Sequence, residues 1–316
     1  MKRLWPIAAA LALIVGLAAF VIVAKQQQKP STDVHAFDFG TFSPSRTCSR
    51  PPRFLRRMHI PQPVMIDLSQ KHYTGIALRY GKNFTQVLHP KQWEQYAHFS
   101  TYALDTSGNI YLIPTPYISI HPSTFTLQKK LFRLDTTTGK INIFMDFEDV
   151  NPRPQNPYGL NAIAYDCDDN TLWVAAIDES DYRHQRGVIY HIDPANKRIV
   201  QRVEGFDALT LRLIHTDRGK FLFAGSARDN GLYAFDITRG KGLASSPHKV
   251  LELPDPNAHI RKIHLQGRNQ LELQTIPFSY SLVAQAAKED RTHFSAKWSP
   301  EKQDWQVVKI PNNTTH

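Results

Sequence analysis

The stretch Asn161-Ala-Ile-Ala-Tyr-Asp166-Cys-Asp-Asp-Asn-Thr-Leu-Trp-Val-Ala175 has the pattern of two apolar strands joined by a short polar turn. A second such pair follows at Val188-Ile-Tyr-His-Ile-Asp193-Pro-Ala-Asn196-Lys-Arg-Ile-Val200. In both strand pairs, an Asp at the start of the turn can accept hydrogen bonds from backbone N–H groups, and an Asn further on tolerates a positive φ. Together the two hairpins predict a four-stranded antiparallel unit with a period of about 40–50 residues.

The same unit recurs along the chain. Units begin near residues 100, 160, 208 and 259, and the runs Val64–Leu68, Tyr73–Tyr80 and Phe84–Leu88 imply one more before them. A four-stranded unit cannot cover both of its faces alone, so its neighbours must do so. We therefore predict an all-β, five- or six-bladed β-propeller over residues 64–316; a sixth blade would need residues 34–60 or a strand from the C-terminal tail. A pair of β-sandwiches is the alternative.

The N-terminus predicts export. Lys2 and Arg3 precede the 21-residue uncharged run Leu4–Ala24, and a membrane-spanning helix needs about 20 residues. The basic end should stay in the cytoplasm. We predict a signal anchor or transmembrane helix over residues 1–24, with the rest of the chain on the exported side, which is the periplasm in a Gram-negative cell. Cleavage of a signal peptide, giving a secreted protein, is the alternative.

The net charge of +10 is concentrated near the N-terminus. Residues 25–63, a polar tether and basic arm, carry seven basic and two acidic residues, whereas residues 64–316 carry 29 basic and 26 acidic ones. A nearly neutral propeller outside the cytoplasm does not indicate a nucleic-acid partner. The arginines of the arm could contact an anionic surface or pair with carboxylates of the propeller.

The chain has two cysteines, Cys48 and Cys167, which excludes a four-cysteine zinc site. Export makes a disulfide between them possible. We predict this bridge, which would pin the arm to the propeller; two separate thiols are the alternative.

The repeats resemble the loose group of NHL, YVTN and gluconolactonase-like propellers, best over residues 100–255. Gluconolactonase-like enzymes hold a divalent metal in the central channel, and the resemblance places one ligand in the run Asn156-Pro157-Tyr158-Gly159-Leu160. Tyr158 stands where that family has an Asn, and no acidic residue matches its early Glu. We therefore predict no metal and no cofactor.

Loops before the inner strands and between the middle strands should meet at one mouth of the propeller. The acidic run Asp178–Asp181 could bind a cation or be a solvated loop. The loops Pro114–Lys130 and Ile276–Tyr280 are candidate partner surfaces. The candidate binding residues are His98, Tyr158, Asn161, Asp178, Asp181, Asp207, Arg228, His259 and Arg261.

No catalytic signature accompanies the propeller pattern, and we assign no catalytic residue. The sequence favours a membrane-anchored, exported, non-catalytic binding or scaffold module of the cell envelope, with an unknown protein or small-molecule ligand. An exported propeller enzyme, either a lactonase-like hydrolase or an oxidoreductase acting on a small molecule, is the alternative.

Overall fold

A computed structural model describes residues 37–43, 48–68, 73–96, 98–116, 122–238, 246–281 and 291–311. The predicted N-terminal helix over residues 1–24 lies outside these ranges. No helix in the described ranges is both long and apolar enough to cross a membrane.

The described residues form five antiparallel sheets arranged as the blades of a β-propeller, which confirms the predicted fold and gives five blades. Blade 1 has three strands: β1 (Met65–Asp67), β2 (Ala77–Tyr80) and β3 (Gln86–Leu88). Blades 2 and 3 comprise β4 (Phe99–Leu104), β5 (Ile110–Pro114), β6 (Lys130–Leu134) and β7 (Ile141–Asp146), then β8 (Leu160–Asp166), β9 (Thr171–Ala176), β10 (Val188–Asp193) and β11 (Arg198–Glu204). Blades 4 and 5 comprise β12 (Ala208–His215), β13 (Lys220–Ser226), β14 (Gly231–Asp236) and β15 (His248–Glu252), then β16 (His259–Gly267), β17 (Gln270–Ile276), β18 (Thr292–Ser299) and β19 (Asp304–Ile310).

The helices are short. One α-helix, α1 (Arg53–Arg57), lies in the arm, and 3-10 helices span Lys82–Phe84, Lys91–Tyr96 and Pro122–Leu127. The strands of blades 2 to 5 follow one another within each sheet, so the predicted repeat is also the folding unit.

Successive side chains of a middle strand pack against the neighbouring blades on its two sides. In β13, Phe221 and Phe223 belong to the core between blades 4 and 5, whereas Leu222 and Ala224 belong to the core between blades 3 and 4. Successive side chains on a strand point to opposite faces, so a strand packed on both sides is apolar throughout. Truncating a fully buried Phe such as Phe223 would cost about 3–5 kcal/mol, which is the scale on which one blade depends on its neighbours.

Aspartates shape the hairpin turns as predicted. Asp135 Oδ1 accepts the backbone N–H groups of Thr137 (3.0 Å) and Thr138 (2.7 Å), and Gly139 follows with φ of +68°. In the β10–β11 turn, the residue with positive φ is Lys197, at +49°, rather than its neighbour Asn196. Asn196 instead donates from Nδ2 to Asp193, so its amide stabilises the turn without adopting the left-handed conformation.

The end of the propeller that carries the hairpin turns between first and second strands is called the lower end. The arm crosses it. Phe42 forms a β-bridge with Thr216 of blade 4, and its N–H donates to Asn269 Oδ1 of blade 5 at 2.6 Å. Further along, the N–H of Phe54 donates to the Thr136 carbonyl oxygen of blade 2 at 2.8 Å. The arm therefore passes under blades 5, 4, 3 and 2 in turn. Its described residues, 37–43 and 48–60, contain no strand of a sixth blade.

A disulfide joins Cys48 in the arm to Cys167 in the β8–β9 turn, with Cα atoms 6.0 Å apart, which confirms the predicted bridge. Disulfides persist in oxidising, extracellular-type compartments, so this bond supports an exported location. Backbone hydrogen bonds, core side chains and the disulfide hold the arm. Four of its described arginines are exposed, and none forms a salt bridge with a described carboxylate: Arg50, Arg53, Arg56 and Arg57.

Candidate functional site

The upper mouth, opposite the arm, is built on a repeated irregularity of the inner strands. Each of β4, β8, β12 and β16 has a register shift at its second or third residue, where one residue is left without a partner in the next strand. Bulges of this kind re-aim a side chain and are common beside functional sites. The unpaired residues, here called the bulge ring, are Ser100, Asn161, Leu209 and Arg261.

The bulge ring is bonded from blade to blade. Asn161, which is 5% exposed, donates from Nδ2 to the Ala208 carbonyl oxygen at 3.0 Å. Arg261 donates from Nη1 to the Leu209 carbonyl oxygen at 2.9 Å. These two side chains therefore join blade 3 to blade 4 and blade 5 to blade 4 at the channel wall.

Arg261 is the charged member of the ring. Burial lowers the pKa of its guanidinium, the nearby Tyr158 opposes that shift, and the charge of Arg291 adds to it. Within the described residues Arg261 forms no salt bridge. A guanidinium carries five N–H donors, so the bond to Leu209 leaves donors that can bind an anion.

An aromatic cluster lies beside Arg261. Its members, here called the aromatic shelf, are Tyr158, Phe278 and Tyr280; ring centroids are 5.3 Å apart between Tyr158 and Phe278 and 5.2 Å apart between Phe278 and Tyr280. Tyr158 and Tyr280 are buried, whereas Phe278 is half-buried. Burial raises the pKa of Tyr158 to about 12, so its hydroxyl stays neutral.

Asp207 ties three loops together. Its Oδ1 accepts the Ser180 hydroxyl at 2.5 Å and the Gly187 N–H at 2.8 Å, and its Oδ2 accepts the Tyr280 hydroxyl at 2.5 Å. Burial raises the pKa of Asp207, although its hydrogen bonds favour the charged form. Both oxygens are occupied, so Asp207 holds the mouth together.

Asp178 and Asn156 hold the loop that carries Tyr158. Asp178 Oδ2 accepts the Asn151 N–H at 2.8 Å, and burial raises the pKa of Asp178 to about 6. Asn156 donates from Nδ2 to the Ile177 carbonyl oxygen at 2.5 Å, and its Oδ1 accepts the Tyr158 N–H at 3.1 Å. Asn156 therefore sets the course of the run that resembles a metal-ligand motif, a role that sequence reasoning missed.

Asp181 and Arg228 lie on the outer side of the mouth. Asp181 is exposed, and its Oδ1 accepts hydrogen bonds from the backbone N–H groups of Arg183 and His184 at 2.7 Å each. The hydrogen bond to the His184 side chain, together with these two, holds the pKa of Asp181 well below its usual range. Arg228 donates to the carbonyl oxygens of Asp181 and Tyr182, the latter at 3.2 Å. Asp178 faces Asn151 instead, so the acidic run does not converge on one point.

The two candidate histidines lie where inner strands begin: His259 is the first residue of β16, and His98 comes just before β4. His259 is half-buried, its ring centroid is 6.1 Å from that of Phe278, and burial lowers its pKa. His98 precedes β4 in blade 2, where its carbonyl oxygen accepts the Thr115 N–H at 2.7 Å. The structure thus groups Tyr158, Asn161, Arg261, Asp207 and His259 around blades 3 to 5.

Below the ring, a cavity of about 330 Å³ extends to the arm. Inner-strand residues of blades 2 to 5 line it, including Tyr102, Arg212 and His215, and the arm residues Ser43 and Cys48 close its lower side. Sequence reasoning missed Arg212, because an Arg within a strand gives no sign of which way it points. Across the described residues, no group of three or more His, Cys, Asp or Glu side chains has the geometry to hold a metal ion.

No protein-family model matches the sequence, and no curated protein matches it either. Among solved structures, the chain is similar to a Lactobacillus plantarum protein (11% identity, TM-score 0.48, 80% of this chain and 68% of that one). It is also similar to the Dos1 propeller (12%, 0.43, 75% and 55%) and to an exo-β-1,3-galactanase from Phanerochaete chrysosporium (10%, 0.47, 79% and 61%). The propeller assignment rests on the strand pairing of this chain itself.

Proposed function

We propose that this chain is an exported, non-catalytic binding module of the cell envelope, with its ligand site at the upper mouth of the propeller. The apolar run over residues 4–24 anchors it in the membrane, and the disulfide is in keeping with the exported side.

One observation carries the proposal. The two buried carboxylates of the mouth, Asp178 and Asp207, are engaged with loop N–H and hydroxyl groups, whereas Arg261 keeps N–H donors beyond its bond to Leu209. Carboxylates held this way stabilise a rigid rim, and a rigid rim around a cationic donor suits binding. The enzyme alternative would need an acid or a base free to act on a substrate, and the two buried carboxylates are engaged in holding the loops.

Native mass spectrometry of the full chain, extracted from membranes in mild detergent, tests this function. We expect a bound species in the wild type, reduced in Phe278→Ala at the mouth and retained in Val308→Ala, a residue 56% exposed on β19. The released species should keep its mass after long incubation with fresh protein. A changed mass would support the enzyme alternative, and equal occupancy in the two variants would place the site elsewhere.

A further inference from the structure

Several basic residues lie on the inner strands β12 and β16, at and near the bulge ring. On β16, Ile263 packs on blade 4, and its neighbours Lys262 and His264 are exposed on the opposite face of the strand. Arg212 of β12 lines the cavity above the arm. Arg261, Lys262, His264 and Arg212 are here called the cationic column.

The two lysines that are buried in the described residues, Lys220 and Lys249, are matched with carboxylates. Lys220 Nζ lies 2.6 Å from Asp166 and 3.2 Å from Asp169, and Lys249 Nζ lies 2.8 Å from Glu252. Burial opposes their charged forms, yet these carboxylates raise the pKa of both lysines. Both of these buried ammonium groups are thus neutralised by carboxylates.

Arg261 and Lys262 of the cationic column differ. Lys262 and His264 are exposed but partly desolvated by the protein around them. This desolvation, then the charges of Arg261 and Arg291, lower the pKa of Lys262. Desolvation, then the charge of Arg212, lower the pKa of His264, with Glu272 the opposing carboxylate. Glu272 is already engaged by His293 Nδ1 at 3.1 Å. Like charges therefore repel one another along this wall, and in the described part of the chain neither Arg261 nor Lys262 forms a salt bridge.

A ligand of opposite charge would relieve this repulsion. A cleft lined by one sign of charge raises the local concentration of counter-ions, and a guanidinium binds carboxylate and phosphate groups through parallel N–H donors. Of the cationic column, Arg212 lines the cavity of about 330 Å³, whose volume is at the lower end of the size range of small-molecule sites. Size and charge together indicate a small anion.

We propose that the central channel binds a small molecule bearing a carboxylate or phosphate group, which Arg261 holds at the bulge ring and the rest of the cationic column attracts. This inference rests on the proposed binding function and adds the chemical class of the ligand. The shared chemistry is an anionic oxygen group, and two probes distinguish its sources.

Titration calorimetry with sodium benzoate and with sodium phosphate, on the full chain in detergent at constant ionic strength, tests the proposal. We expect saturable binding of at least one probe, and the tighter one identifies the group. Arg261→Gln should weaken that probe at least tenfold, and Arg212→Gln several-fold. The matched control Lys297→Gln, which removes an exposed charge from β18, should change it less than twofold.

Arg261→Gln also removes the bond to Leu209, so a second variant separates folding from binding. Arg261→Lys keeps the positive charge but lacks the parallel N–H donors of the guanidinium. This variant should bind the probe more weakly than the wild type and more tightly than Arg261→Gln. Arg212→Gln leaves the bond between Arg261 and Leu209 intact. Absence of saturable binding of both probes to the wild type, or equal losses in Arg261→Gln and Lys297→Gln, would overturn the proposal. A neutral species in the mass spectrum would overturn it as well, while leaving the binding function standing.

Discussion

Arg261 Nη1 lies 2.9 Å from the carbonyl oxygen of Leu209. The bulge residue of β16 in blade 5 is therefore bonded to the bulge residue of β12, the inner strand of blade 4. This bond fixes one edge of the guanidinium against the channel wall of blade 4. The remaining donors then have a defined direction, which is what a site for a carboxylate or phosphate group requires. The contact between Arg261 and Leu209 is thus part of both the repeated bulge of the inner strands and the candidate site.

Tyr280→Phe tests the role of Asp207 as the support of the mouth. The variant removes the hydroxyl that donates to Asp207 Oδ2 and leaves that buried oxygen without its partner. We expect a loss of about 1–3 kcal/mol in the free energy of unfolding, because an unsatisfied buried acceptor carries its desolvation cost. Urea denaturation measures it. Tyr182→Phe is the control, since Tyr182 is 69% exposed and its hydroxyl pairs with the Ser279 hydroxyl rather than with a buried carboxylate. An equal loss in both variants would contradict this role.

Asp178 should make stability depend on pH. Its pKa is about 6 in the folded chain and about 3.9 in an unfolded one, so the folded state binds the proton more tightly. Stability from this group is therefore full below about pH 4 and falls as pH rises through 6, by up to about 3 kcal/mol. Asp178→Asn keeps an acceptor for the Asn151 N–H and should lose this fall.

Urea unfolding of the wild type and Asp178→Asn at pH 4 and pH 7.5 measures the effect. The difference between the two proteins isolates Asp178, because Asp207 and the other carboxylates titrate in both. We expect the variant to gain stability relative to the wild type at the higher pH. A wild type that gains more than the variant between the two pH values would show that the pKa of Asp178 is lowered instead.

Lys220→Met should be strongly destabilising. Lys220 Nζ is 2.6 Å from Asp166, which is 1% exposed, and the substitution leaves a buried carboxylate without its main cation. Breaking one side of such a pair costs about 3–5 kcal/mol. Lys220→Met combined with Asp166→Asn should recover part of the loss, since the unpaired charge is then gone. Thermal and urea unfolding, with the exposed Lys309→Met as control, check this; a loss below about 1 kcal/mol would contradict it.

Opening the disulfide should loosen one part of the arm and spare another. Cys48→Ser with Cys167→Ser should cost about 2–5 kcal/mol, because the bridge closes a separation of 119 residues. In hydrogen exchange, the Arg50 amide, bonded to Asp105 at 3.3 Å, should lose protection. The Phe54 amide should keep most of its protection, because the Phe54 side chain is 4% exposed in the core with Trp93. Equal loss at both amides would show that the disulfide alone holds the arm.

The sequence predicted the blades closely. Units expected near residues 100, 160, 208 and 259 begin at Phe99, Leu160, Ala208 and His259. This works because each blade is local: an apolar strand, a turn opened by an Asp and a second strand are close in the chain, and neighbouring blades dictate apolar residues on both faces. The disulfide could be predicted for a simpler reason, since only one internal pair was possible.

The site could be predicted only in part. Arg261 and Asn161 were candidates, but their position on bulges has no sequence signature, because one extra residue in a strand changes register without changing composition. Asp178 and Asp207 stood out as acids, and only the structure shows which groups occupy their oxygens. The course of the arm under four blades depends on contacts between residues far apart in the chain, which local patterns do not encode.

Crystal structures of the full chain, one soaked with sodium benzoate and one with sodium phosphate, would show directly whether Arg261 binds an anion. We expect an anion in the channel with its oxygens within about 3 Å of the remaining N–H groups of Arg261, and Nη1 still bonded to Leu209. A channel without an anion in both crystals, or Arg261 turned onto a carboxylate of the chain itself, would contradict it.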